Sequence, residues 1–279
     1  MRTSLTQLLV HLDPSPRAEQ RLEVARKLGE RHNAAVAALY AVTPSFMELP
    51  FAPALGAGAG AGMREIDDEQ RDRARAMFER AQASSGTPMS WADALDDPCI
   101  EAVAQQALYA DLLVLGQHDS FDKGATHVPA DFVESVMQVS GKPALIVPYA
   151  TVPPTIGETL VIAWKPTREA ARAVATAMPL LQAAKRVHVV SWADDKAKIG
   201  DGRLDLGGYL KLSGIEAIWH HEGREPEKLG EMLLSRAFDL QADLLVMGCY
   251  GHSRAREWVL GGTTHTVLQS MTLPVLMVY

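Results

Sequence analysis

Cysteine is scarce in this chain, with only Cys99 and Cys249 among 279 residues. Two thiols in different halves of the sequence cannot supply the disulfide framework of a small secreted domain. The sequence also lacks Cys-x-x-Cys and His-Glu-x-x-His patterns, so no metal site is expected. This composition predicts a reducing, cytoplasmic setting.

Long apolar runs and an excess of positive charge are missing as well. No run approaches the ~20 apolar residues needed to span a bilayer, and the first residues lead straight into a strand pattern, so neither a membrane segment nor a secretory leader is expected. The net charge is −7. Residues 1–150 hold 13 Lys/Arg against 20 Asp/Glu, whereas residues 151–279 hold 14 of each. Such a balance predicts no basic surface for nucleic acid or anionic lipid.

What the sequence does contain is an internal repeat. Residues 110–116 resemble residues 242–248 at an offset of 132, and residues 143–149 resemble residues 274–279 at an offset of 131. The two prolines within residues 150–155 predict a linker, because proline interrupts both helix and sheet. The repeat therefore predicts two domains, 1–150 and 151–279.

Short apolar runs alternate with helical patterns in both copies, and one of these patterns predicts a helix over residues 64–84. This pattern predicts an α/β fold with a doubly wound parallel sheet of five strands in each domain. In such sheets a ligand binds beyond the carboxyl ends of the strands. The Gly/Ala-rich stretch within residues 44–62 is expected to be mobile. The predicted strands are 6–12, 35–42, 89–94, 111–116 and 144–148 in the first copy, and 159–164, 186–191, 215–220, 243–248 and 275–278 in the second.

The glycines after the fourth strand of the second copy are spaced for phosphate binding. Gly248 and Gly251 are separated by two residues, and nine more precede Gly261, Gly262 and Thr263 at a predicted helix start. Glycines let backbone N–H groups approach an anion, and a helix N-terminus adds unpaired donors. Arg254 could supply positive charge. Cys249, inside this loop, is expected to be a small buried residue.

With a strand ending in Met-Gly before this spacing, the chain resembles a tandem member of the universal stress protein family. The resemblance implies strand order 3-2-1-4-5 and an adenine nucleotide, with or without Mg²⁺, held between strands one and four. It also implies that the two domains pair through strands 144–148 and 275–278, as single-domain members pair as homodimers. The implied site residues in the second copy are Lys165, Val190, Gly248, Gly251, Arg254, Gly261, Gly262 and Thr263, and the degenerate first-copy site has Asp13, Val42 and Gly116.

Each copy departs from the family pattern in a different place. The family has a carboxylate at the end of strand one, where the second copy has Lys165, and a hydroxyl where it has Gly262. The first copy keeps Asp13, but its loop carries Asp119 and Asp122, which would repel phosphate. We therefore expect a phosphate-bearing ligand in the second copy alone, with Lys165 contacting an anionic part of it.

Several alternatives stay open at the level of sequence. Asp13 could form an Asx turn or helix cap instead of a ligand contact. The adjacent residues His220 and His221 should point to opposite sides of a strand, which disfavours a shared metal. The favoured function is a non-enzymatic stress-response binding and signalling module. A nucleotide-free interaction protein is the alternative and slow ATP hydrolysis ranks last, with further homodimerisation and a protein partner left open.

Overall fold

The computed structural model describes residues 4–45, 57–94, 97–122, 127–150, 153–192, 204–249 and 262–279. Within these ranges the chain divides into two compact units, residues 4–142 (the first unit) and 143–279 (the second unit). In the same ranges, no helix combines the length and the apolar character that crossing a membrane requires. The predicted domain boundary at residue 150 stays a prediction. The two compact units divide at residue 143, so that the strand at 144–147 lies in the second unit.

The first unit contains four parallel strands in the order β3-β2-β1-β4, which are the first four places of the expected order. Its inner strands are almost completely buried, as runs that are apolar at every position require. Its elements are β1 (Gln7–Leu12), α1 (Arg17–His32), β2 (Ala35–Ala41), α2 (Ala57–Ala83), β3 (Met89–Ala94), α3 (Cys99–Ala107), β4 (Leu112–Gly116) and α4 (Phe132–Ser140).

The second unit shows the complete order 3-2-1-4-5, as the parallel arrangement β8-β7-β6-β9-β10. The α/β class and the doubly wound parallel sheet are thus confirmed. Its elements are β5 (Ala144–Val147), β6 (Thr159–Trp164), α5 (Arg168–Gln182), β7 (Arg186–Ser191), α6 (Leu206–Leu212), β8 (Ala217–His221), α7 (Leu229–Asp239), β9 (Leu244–Gly248), α8 (Thr263–Ser270) and β10 (Val275–Val278).

The two strands expected to pair, β5 and β10, do so inside the second unit. They run antiparallel, with Val275 opposite Ile146 and Leu276 opposite Leu145. All eight residues of the two strands are buried. Both backbone edges of β10 are used, because its other neighbour is β9.

Helix α2 begins earlier than the sequence pattern predicts. The expected helix starts at residue 64, but α2 extends back to Ala57 through part of the Gly/Ala run that was expected to be mobile. Alanine is the best helix former, so the alternating alanines offset part of the cost of the glycines once the downstream helix has formed. The rest of that stretch, residues 46–56, lies outside the described residues.

Candidate functional site

A solvent-open cleft of about 830 Å³ lies at the carboxyl ends of β6 and β9 in the second unit. These two strands are neighbours, and the chain leaves them toward opposite sides of the sheet order, through β7 and β10. This is the switch point at which doubly wound sheets bind their ligands. We call it the second cleft.

Gly248 allows the first turn of α5 to approach the end of β9. A Cβ at this position would lie 2.5 Å from the carbonyl carbon of Glu169 and 2.6 Å from the backbone nitrogen of Ala170. The helix start is fixed by Thr167, whose side chain accepts a hydrogen bond from the Ala170 backbone N–H at 3.3 Å. Gly248 is therefore required by packing, in addition to any contact with a ligand.

Helix α8 brings its first turn into the second cleft by packing closely on α7. A Cβ on Gly230 would lie 2.8 Å from the Thr266 Cβ and 3.1 Å from the Thr263 carbonyl oxygen. Thr263 and Thr264 line the cleft, and Gly262 occupies the N-cap position of the helix. The first N–H groups of a helix have no partner within it, so this wall has the character of an anion-binding surface.

One polar bridge crosses the second cleft. Lys165, just beyond β6, donates from Nζ to Oε2 of Glu225 at 2.9 Å, and both side chains are roughly half exposed. Glu225 lies 60 residues further along the chain, in the segment between β8 and α7. The ammonium predicted to meet an anionic ligand group therefore already has a carboxylate partner.

The remaining walls are mostly apolar, with one buried carboxylate. Glu169 pairs with the exposed Arg168, and although burial opposes its ionisation, this guanidinium holds the pKa of Glu169 below its usual value. The apolar lining consists of Trp164, Val190, Trp192, Leu229, Leu233 and Met247.

Four of the predicted site residues of the second copy come together around this cleft: Lys165, Val190, Gly248 and Thr263. Gly262 adjoins them as the helix cap, whereas Gly251, Arg254 and Gly261 lie outside the described residues. Sequence reasoning missed Glu225 and the two tryptophans. Trp164 could have been found as the last residue of its strand, but no pattern connects Glu225 with a site 60 residues away.

The equivalent first cleft, of about 560 Å³, lies at the ends of β1 and β4 and is crossed by a buried ion pair. The Arg21 Nη2 lies 2.7 Å from the Asp13 Oδ2, and both side chains are at most 12% exposed. Asp13 Oδ1 also accepts hydrogen bonds from Ser15, at 3.0 Å from N and 2.5 Å from Oγ. This is the Asx turn that the sequence left open, so both carboxylate oxygens are in use.

The Arg21 side chain fills the space beside Gly116 in the first cleft. A Cβ on Gly116 would clash with the Arg21 Nη1, and the Arg21 Nε donates to the His11 carbonyl at 3.1 Å. Burial opposes ionisation of Asp13, but the Arg21 guanidinium, His11 and the hydrogen bond from Ser15 together hold the pKa of that carboxyl below its usual value. Val42 is buried after β2 and does not line the cleft.

Two further polar side chains of the first cleft, Asp119 and His11, each contact a neighbouring residue. Asp119, expected to repel phosphate, lines the cleft 3.7 Å from Arg17 Nη2. His11 is buried against the Phe132 ring and its Nε2 donates to the Ala41 carbonyl at 2.7 Å. Burial lowers the pKa of His11 to about 4, so the imidazole is neutral near pH 7.

The adjacent histidines of β8 point to opposite faces, as predicted. His220 contacts His188, with 3.0 Å between Nε2 and Nδ1, whereas the His221 Nδ1 lies 3.0 Å from the Ser191 hydroxyl. Across the described part of the chain, no group of three potential ligands is placed to hold a metal ion. Cys249 is buried and forms no disulfide within the described residues, in agreement with the small buried residue expected there.

Residues 158–279 match the model of the universal stress protein family. This segment, 122 of the 279 residues, belongs to that family. The whole chain is similar in fold to a universal stress protein from Archaeoglobus fulgidus DSM 4304, with a TM-score of 0.73 and 17% identity over 98% of this chain and 97% of that one. A functionally unknown protein from Pseudomonas aeruginosa PAO1 gives a TM-score of 0.62 and 15% identity, over 99% and 93% respectively.

These structures cover nearly the full length of the chain and show that both units share their fold. No curated protein matches the chain. At these identities the two structures show the fold of both units and no more. The family model matches residues 158–279, which lie in the second unit.

Proposed function

We propose that the chain is a universal-stress-type binding module whose second cleft holds a phosphate-bearing ligand, with an adenine nucleotide such as ATP or AMP as the leading candidate. The observation that carries this proposal is the position of the second cleft, at the sheet's switch point with the first turn of α8 as one wall. The glycine spacing of the family's nucleotide loop, including Gly251 and Gly261, supports it from the sequence.

The first unit, in this proposal, is a scaffold and a surface for protein partners. Its cleft already contains a charge-compensated guanidinium, and its lining adds the carboxylates of Asp119 and Asp122. A polyphosphate entering it would have to displace Arg21 from Asp13 and face those carboxylates. One ligand per chain is the expected stoichiometry.

The experiment that tests the proposal starts from protein purified without added nucleotide. The sample is denatured, and the released small molecules are separated by ion exchange, identified by mass spectrometry and quantified per chain. About one adenine nucleotide per chain is the expected result. A different phosphorylated compound would keep the cleft as a phosphate site and replace the nucleotide.

An interaction protein without a nucleotide is the second candidate. It is favoured by the engagement of Lys165 with Glu225 and by the absence of a hydroxyl side chain at Gly262. Under this alternative, saturating Mg²⁺–ATP, ADP and AMP leave the melting temperature unchanged, whereas a ligand at 100 times its Kd would add about 2.7 kcal/mol to the free energy of unfolding. Slow ATP hydrolysis ranks third, and we propose no catalytic residue for it.

A further inference from the structure

The Lys165–Glu225 pair contributes little to the stability of the fold and lies where a ligand could contact it. Both side chains are more than 40% exposed, and ion pairs of this kind contribute only about 0–1 kcal/mol to stability. Both also line the second cleft, joining the wall that begins at the end of β6 to the segment before α7. Because the pair contributes so little to stability, we expect its two charges to act mainly on a ligand in the cleft.

Glu225 retains unused acceptor capacity in that position. Its Oε2 receives the Lys165 ammonium, and Oε1 has no hydrogen-bond partner among the described residues. A carboxylate near pH 7 only accepts hydrogen bonds, so the complementary ligand group is a donor, either a hydroxyl or an amino group. Lys165 retains two further N–H donors of its own.

The surroundings of the pair suit a flat ring. Trp164 and Trp192 line the same cleft together with Leu229 and Leu233. Indole and leucine side chains bind an apolar, planar body, while a few polar groups fix its orientation. A ring that carries hydroxyl or amino donors at its edge is the chemistry of a nucleoside.

We propose that Glu225 is the ligand-facing carboxylate of the second cleft and that it selects nucleosides, through an amino donor on the planar base or a hydroxyl of the sugar. Lys165 is a positioning residue that holds Glu225 across the opening. This inference rests on the proposed function and adds the residue that recognises the nucleoside. It also changes the expectation for Lys165, whose first role becomes orientation of Glu225.

The test uses the full-length protein and titrates adenosine, AMP and inorganic phosphate by calorimetry. Replacing Glu225 by Gln keeps the shape of the side chain but removes its charge, and we expect adenosine and AMP to bind roughly tenfold more weakly or worse, with phosphate unaffected. Lys165→Met should weaken the binding of adenosine and AMP by a smaller factor. Adenosine carries no phosphate, so its response is free of repulsion between Glu225 and phosphate.

Glu158→Gln is the matched control. Glu158 also pairs with a lysine, Lys185, at 2.8 Å, but it precedes β6 at the end of the strand away from the cleft. This variant should bind adenosine and AMP like the wild type. All three variants should melt within about 1–2 °C of the wild type, since each loses only an exposed ion pair.

Two analogues identify the donor. Inosine lacks the ring amino group, and 2′,3′-dideoxyadenosine lacks the sugar hydroxyls. Whichever group contacts Glu225, the analogue without it should bind the wild type more weakly than adenosine does, and this difference should disappear in Glu225→Gln. Equal binding of all three nucleosides by the wild type would overturn the inference.

The remaining outcomes separate this inference from the proposed function. AMP binding that is unchanged or stronger in Glu225→Gln contradicts the role of Glu225 and leaves the nucleotide site standing. Failure of the wild type to bind adenosine and AMP contradicts the adenine nucleotide as the ligand of the proposed function, and the role of Glu225 with it.

Discussion

An ion pair crosses each of the two clefts of this chain, but the acid and the base come from opposite positions in the two cases. In the first, the acid follows the strand and the base comes from the helix, as Asp13 and Arg21, and the pair is buried. In the second, the base follows the strand and the acid comes from a distant segment, as Lys165 and Glu225, and the pair is half exposed. The buried pair is shielded from solvent inside its cleft, whereas the half-exposed pair can be reached by a ligand.

The glycine that ends the fourth strand has a different neighbour in each case. Beside Gly116 lies the side chain of Arg21, and against Gly248 lies the backbone of α5 at Glu169 and Ala170. A helix that sits directly on the strand leaves no room for a long side chain between them. In the second unit the closer helix thus places no long side chain beside Gly248, and the cation of the cleft, Lys165, comes from the end of β6 instead.

Breaking the buried pair should have the largest effect. Asp13→Asn leaves the Arg21 guanidinium buried without its counterion, which we expect to cost about 3–5 kcal/mol in the free energy of unfolding. Urea denaturation measures it. The double variant Asp13→Asn, Arg21→Met should recover part of the loss because it removes the unpaired charge. A single variant as stable as the wild type would show that the pair contributes little.

A pH titration of stability should expose His11. Its pKa falls from 6.5 to about 4 on folding because the imidazole is buried, with Arg21 adding to the shift and Asp13 and the Ala41 carbonyl opposing it. The unfolded chain therefore binds a proton below pH 6.5 that the folded chain does not, and stability should fall by about 3 kcal/mol between pH 6.5 and 4.

His11→Gln is the control for this titration and should flatten that part of the profile. It should not remove all of the acid dependence, since His188 and His220 in the second unit also have lowered pKa values, in both cases chiefly through burial. Identical profiles for the variant and the wild type would show that His11 titrates normally in the folded protein.

Adding a methyl group to the strand-ending glycines compares the two neighbours directly. Gly248→Ala meets backbone atoms at 2.5–2.6 Å and should cost about 2–3 kcal/mol, while Gly116→Ala meets only a side chain and should cost less. Gly62→Ala, in α2 with no atom within 4 Å, should stabilise by up to about 1 kcal/mol. Chemical denaturation ranks the three, and equal losses at 248 and 116 would remove the distinction between backbone and side-chain packing.

The smallest effect on stability should come from the exposed pair. Lys165→Met should change the free energy of unfolding by less than about 1 kcal/mol, because both partners stay solvated. Thermal unfolding at low and high salt checks this expectation. A loss comparable to that of Asp13→Asn would mean that the two pairs do the same structural work, and the contrast between the clefts would fail.

The fold could be predicted from the sequence because its hydrophobic pattern is regular and occurs twice. Strands that are apolar throughout, such as Leu112–Gly116 and Leu244–Gly248, and an offset of 132 between the copies predict two related parallel sheets. The start of α2 was misjudged because a glycine-rich composition hides the helix propensity of the alanines between them.

The site was predicted only in part, for a physical reason. Lys165, Gly248 and Thr263 lie at the ends of regular elements, where topology fixes the position from sequence alone. Glu225 and Arg21 act through side chains that reach across the cleft, and a one-dimensional pattern carries no record of such contacts. Their roles followed from distances and burial.

Photolabelling tests the central claim, that only the second cleft is open to a nucleotide. The full-length protein is irradiated with an azido-substituted adenine nucleotide, digested, and mapped by mass spectrometry, with unlabelled ATP as competitor. We expect competed label only in peptides from residues 143–279. Competed label in residues 4–142, or none anywhere in the chain, would contradict the account.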